Sequence, residues 1–80
     1  MKIQQLECVL QIADNGNSIS AAANALHTSQ PGVSRQLQLL EAELGVEIFR
    51  RTRNRIVGLT EPGRLVVERV RRILGDVQSL

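Results

Sequence analysis

The chain has 80 residues, 42% of them hydrophobic and 22% charged, which is the composition of one small water-soluble domain. Phe49 is the only aromatic, which argues against modules that stack bases on aromatic platforms. No apolar run approaches the roughly 18 residues of a membrane span. The opening Met1-Lys2-Ile3-Gln4-Gln5 lacks the apolar stretch of a secretory signal. Cys8 stands alone, so an internal disulfide and a multi-cysteine zinc site are excluded and a reducing cytoplasm is the expected location.

Charge is more informative by position than by sum. The formal net charge is +2. Residues 1–34 set Lys2 against Glu7 and Asp14, a net of −1, whereas residues 50–72 set eight arginines against Glu61 and Glu68, a net of +6. A basic patch on a nearly neutral chain points to a polyanionic partner. The plainer alternative is a solvated arginine-rich surface.

In chain order, Ile3, Leu6, Val9, Leu10 and Ala13 recur at helical spacing and predict a first helix from about Ile3 to Asp14. Asn15-Gly16-Asn17 ends it, because Asn and Gly accept the left-handed conformation. Ser18 is the expected N-cap of a second, alanine-rich helix reaching about Leu26. Thr28 and Ser29 are capping residues, and Pro31 suits the first turn of a third helix with Val33, Leu37, Leu40 and Leu44 on one stripe and Gly45 at its end. So tight a connection between two short helices fits a helix-turn-helix, spanning about residues 18–37.

Val46, Ile48 and Phe49, then Arg50 to Arg55, then Ile56, Val57 and Leu59 read as a small β-hairpin, a wing with arginines at its tip. Thr60-Glu61-Pro62-Gly63 starts a last helix, predicted to run to the end. There Val66, Val70, Ile73, Val77 and Leu80 are spaced as an a/d seam for helix pairing. The seam is short and holds Gly75, so a helix packed on its own domain is the competing reading. The fold class expected is therefore mainly α: a winged helix-turn-helix over residues 1–59, then a linker or dimerisation helix over 60–80.

On the third helix, Gln30, Ser34 and Gln38 share one face, with Pro31 and Arg35 beside them, opposite the apolar stripe. Gln pairs bidentately with adenine, Arg with guanine, and Ser with base or phosphate, while Pro31 offers apolar contact to a thymine methyl. Thr28 and Ser29 are placed for a phosphate. Arg51, Arg53 and Arg55 on the wing would hold the backbone or enter a minor groove. Arg64, Arg69, Arg71 and Arg72 would meet phosphate, or pair with Glu68 and Asp76.

Enzyme readings are weak. A nucleophile set could be assembled from Ser29 or Ser34 with His27 and Asp14, but no Gly-x-Ser-x-Gly elbow marks an activated serine. One His and one Cys make no credible metal site, and no phosphate-binding glycine loop is present. His27 is expected at a helix end or turn, and Cys8 as a small buried hydrophobe.

The ordered run Ser18-Ile19-Ser20-Ala21-Ala22-Ala23, Leu26 through Gln36, Leu40-Glu41-Ala42-Glu43-Leu44-Gly45, Ile48 through Arg53 and Leu59 through Gly63 resembles the DNA-binding region of LysR-type transcriptional regulators. The likeness extends over essentially all 80 residues. It implies sequence-specific binding of double-stranded DNA at a dyad-symmetric promoter site, with the third helix in the major groove. Counterparts of Gln30, Pro31, Ser34 and Arg35 approach bases, and those of Thr28, Ser29, Arg51 and Arg53 hold the backbone. Ser18 and Ser20 are expected at phosphate as well, with Gln38 and Arg55 completing the backbone or minor-groove set.

The resemblance further implies a homodimer through the linker helix at Val66, Val70, Ile73 and Val77, and a tetramer for the full-length protein. It implies no cofactor in this region; a small-molecule effector belongs to a C-terminal domain, absent from these residues. Departures from the family pattern are Ile19 for Phe, Cys8-Val9 for an aromatic pair, Arg55 for Gly and Pro62 for Ala. Gln4-Gln5-Leu6 and Thr28 to Gln36 look similar to the subgroup controlling sulphur and cysteine acquisition genes. The alternative function is a winged helix that binds an acidic protein surface.

Overall fold

The computed structural model describes residues 1–80. The elements are α1 (Ile3–Asp14), α2 (Ile19–Ala25), α3 (Gln30–Leu44), β1 (Phe49–Thr52), β2 (Arg55–Leu59) and α4 (Glu61–Gln78).

Helix boundaries follow local chemistry. Beyond α1, Gly16 and Asn17 take positive φ of 68° and 62° and turn the chain. Ser18 caps α2, its Oγ accepting from the Ala21 N–H at 3.0 Å. Ser29 caps α3 by accepting from the Gly32 N–H at 3.1 Å, and Gly45 closes that helix at φ 72°. Thr60 caps α4 by accepting from the Gly63 N–H at 2.9 Å. Each side-chain oxygen satisfies an amide that the first helical turn leaves unpaired.

A single core draws on every helix and on the head of the wing. Val9, Ile12, Ala22, Val33, Leu37, Leu40 and Ile48 are fully buried, and Phe49, the lone aromatic, is almost so. Alanines on α2 let α1 and α3 close around it.

The apolar stripe of α1 is rotated from the sequence expectation. Ile3 is exposed, and the buried positions are Gln5, Leu6, Cys8, Val9 and Ile12. The reason is tertiary: α2, α3 and α4 all pack on α1, so its buried arc is wider than one helical face. Gln5 tolerates burial because its Oε1 accepts from the Lys2 N–H at 3.0 Å. Cys8 is buried as expected, and burial, followed by the nearby Glu7 charge, pushes its thiol pKa up.

The wing also starts later than the apolar residues predict. Val46–Ile48 lie outside the strand, and β1 begins at Phe49 and runs through Arg50 and Arg51. Ile48 and Phe49 are consumed by the core, so the arginine run itself supplies the strand. β1 pairs antiparallel with β2 (Phe49 with Leu59, Thr52 with Arg55), with a bulge between Arg50 and Arg51. Only Arg53 and Asn54 form the turn, and Arg53 takes φ 59°.

Helix α4 corrects the predicted seam. Gly63, Val67, Val70 and Leu74 are its buried residues, so Val70 belongs to the domain's own core rather than to an open seam. The competing reading, a helix packed on its own domain, holds for that face. Val66 is half-buried, while Leu65, Ile73, Val77 and Leu80 stand exposed. Two contacts set this rotation. A Cβ on Gly63 would lie 1.9 Å from the Ile48 carbonyl oxygen, so only glycine lets α4 come this close. Farther along, Arg71 donates two hydrogen bonds, of 3.1 and 2.7 Å, to Asp14 at the end of α1. Arg71 thus pairs across the fold and not with Glu68 or Asp76 on its own helix.

Candidate nucleic-acid interface

The site begins in the turn between α2 and α3. His27 sits there with φ 56°, Thr28 is exposed, and Ser29 is the cap. A Cβ on Gly32 would stand 3.0 Å from Ser29 Oγ and 3.4 Å from Thr28 Oγ1, so the small residue leaves room for both hydroxyls at the helix start. The first turn of α3 then projects Gln30 and Pro31 to solvent. Ser34 is half-buried and Arg35 and Gln38 are exposed, while Val33, Leu37 and Leu40 anchor the opposite face in the core.

None of the Gln30, Ser34, Arg35 or Gln38 side chains makes a hydrogen bond within the chain, whose side-chain bonds all lie elsewhere. A polar surface of this kind, fixed on a rigid helix and unengaged, is chemically competent to read base edges.

The wing arginines divide. Arg53 and Arg55 are exposed and form no ion pair within the chain. Arg51 does not stand free: its Nη2 lies 3.5 Å from Glu41 Oε1. Arg50 lies along Gly58, at 3.5 Å from where a Cβ would be. The fold also brings the wing tip to the start of α2. Asn54 and Arg55 line one open polar cavity of about 240 Å³ together with Asn17 and Ser18. Ser20 is exposed on the first turn of the same helix.

Sequence reasoning left Glu41, Gly63 and Leu65 without roles. Glu41 lies in the strip Leu40 to Gly45 that carries the family likeness, but its spacing alone says nothing about what it touches. Leu65 falls outside the heptad spacing and is recognisable only by its exposure of 53%. An apolar groove is lined by Met1, Leu6, Leu44, Val66, Val70 and Ile73 together with Arg69. The residues of the hypothetical nucleophile set are engaged elsewhere or unlinked. Asp14 is engaged by Arg71 and Ser29 is a helix cap, with no bond from either to His27.

A three-helix core carrying a solvent-facing polar helix and a basic hairpin is the winged helix-turn-helix arrangement of a nucleic-acid reader. Residues 3–64 match the family described as bacterial regulatory helix-turn-helix protein, lysR family, and the chain belongs to that family. Over its whole length it is 48% identical to the HTH-type transcriptional regulator CysB of Burkholderia cenocepacia and 45% identical to SsuR of the same organism. It spans 26% of the length of each. Among solved structures, the CbnR DNA-binding domain in a DNA complex superposes with a TM-score of 0.89 at 40% identity, covering 99% of this chain and 88% of that one.

Proposed function

We propose that these residues form the DNA-binding segment of a bacterial transcription regulator that recognises a dyad-symmetric duplex site and catalyses no reaction. The carrying observation is the free polar face of α3, Gln30, Pro31, Ser34 and Arg35, presented beside a wing whose Arg53 and Arg55 have no partner in the chain. In this reading α3 enters the major groove and those four residues meet base edges. Ser18, Ser20, Thr28, Ser29 and Gln38 hold phosphates, and Arg53 and Arg55 grip the backbone or minor groove at the flank.

Residues 1–59 carry recognition and α4 links two copies. The half-buried Val66 and the exposed Ile73 and Val77, joined by the exposed Leu65 and Leu80, supply the apolar face for that pairing, while Val70 supports it from the core side. Two domains so joined address half-sites about one helical turn apart or a multiple of it. No helix is long and apolar enough to cross a membrane, which accords with a regulator acting in the cytoplasm. The likeness to CysB and SsuR supports genes of sulphur and cysteine acquisition as the targets.

Selection of bound duplexes from a random pool tests the proposal. Enrichment of a two-fold symmetric sequence is expected. Failure to retain duplex DNA even at low salt refutes it and favours an acidic protein partner.

A further inference from the structure

The wing is useful only if its arginines are held at a fixed distance from α3, and a two-stranded hairpin is weak by itself. One side chain of the helical body reaches it. Glu41, on the last full turn of α3 and six residues past Arg35, is only 14% exposed. Its Oε2 accepts from the Ile48 N–H at 2.7 Å and, more weakly, from the Phe49 N–H at 3.5 Å. Its Oε1 faces the Arg51 guanidinium at 3.5 Å. No other side chain of α1, α2 or α3 hydrogen-bonds to residues 46–59. A carboxylate suits this place because it accepts from several donors at once and balances the arginine that follows.

We propose that Glu41 is a positioning residue that locks the wing to the recognition helix, and that Arg51 is a strut in this lock rather than a phosphate contact. This inference rests on the DNA-binding reading and revises the role that family resemblance gives to Arg51. Phosphate contact and strut differ in a measurable way. A cation on a phosphate releases a counterion, so its removal lowers the salt dependence of binding by about one unit. A strut whose charge stays with Glu41 releases none.

The experiment compares the unaltered chain with Glu41→Gln, Arg51→Gln, the double variant and Arg53→Ala. Fluorescence anisotropy on a selected duplex is read across a salt series, and hydrogen exchange is read at the Ile48 amide. Loss of an exposed ion pair is expected to weaken binding by Arg51→Gln about two- to fivefold, with the salt slope unchanged. Glu41→Gln weakens binding by a similar factor and speeds exchange at Ile48, and the double variant binds no worse than either single one. Arg53→Ala lowers the slope. A slope lowered by Arg51→Gln as much as by Arg53→Ala, or additive losses in the double variant, overturns the strut. Should Glu41→Gln fail to fold, the slope of Arg51→Gln still decides. An unaltered chain that binds no duplex refutes the functional reading itself, whereas a binding chain with a lowered Arg51→Gln slope refutes only the strut.

Discussion

Gly63→Ala tests the account of how α4 is seated. The added Cβ would lie 1.9 Å from the Ile48 oxygen and 2.7 Å from its carbonyl carbon, where contacts under 3.0 Å are essentially never seen. The carbonyl is not free to turn aside. It accepts from the Thr60 N–H at 3.0 Å, and the Thr60 hydroxyl, which donates chiefly to the Glu47 carbonyl, stands 3.2 Å from it. The start of α4 must therefore move by an ångström or so, dragging Val67 and Val70 out of register with α1. Overpacking of this kind costs about 1–3 kcal/mol, and a weakened Thr60 hydrogen bond adds about 1 kcal/mol, so about 3 kcal/mol is expected. For a domain of this size that lowers the melting temperature by roughly 12 °C or more, read by the far-ultraviolet dichroism of the helices. A melting temperature within about 3 °C of the parent would refute the close approach as the reason for glycine.

The other outcomes are as direct. A Cβ at Gly75, in the same helix, meets nothing within 4 Å, so Gly75→Ala is expected to stabilise by up to about 1 kcal/mol, and a lower melting point would contradict this. Arg35→Ala is expected to cost about 1–3 kcal/mol against the selected site and to relax base choice at one position, with competition by single-base variants as the check. Arg53→Ala should weaken all duplexes evenly and lower the salt slope by about one unit; an unchanged slope would remove it from the phosphate-contacting set. Asp14 carries the pH prediction. Hydrogen bonds from Arg71 hold its carboxyl below the ordinary value, so folding is favoured by its charged form. That contribution is fully present above the unfolded carboxylate range, near pH 4, and is lost as pH falls through the lower folded value. The melting-temperature gap between the parent and Asp14→Asn should close on acidification, and a gap independent of pH would argue against the pair.

The helix ends were legible from local chemistry alone. Ser18, Ser29 and Thr60 precede helices because their oxygens accept from amides three residues on, and Gly45 ends one because it tolerates positive φ. Those bonds join near neighbours, so spacing encodes them. The polar face of α3 was legible for the same reason: the core takes one stripe of the helix and leaves the other.

Contacts between distant residues were another matter. Ile3 and Ile12 are equally apolar, but only the packing of α2, α3 and α4 around α1 exposes the first and buries the second. The heptad spacing of α4 fits either pairing or self-packing, and the approach of Gly63 to Ile48 turned Val70 inward. Asp14 meets Arg71 across 57 positions, and Glu41 finds the wing only because Gly45 reverses the chain between them. Local periodicity determines which segments are helices and which of their residues prefer water. Which apolar face meets which, and which arginine is left free, depends on where the chain returns in three dimensions, and no spacing along it records that.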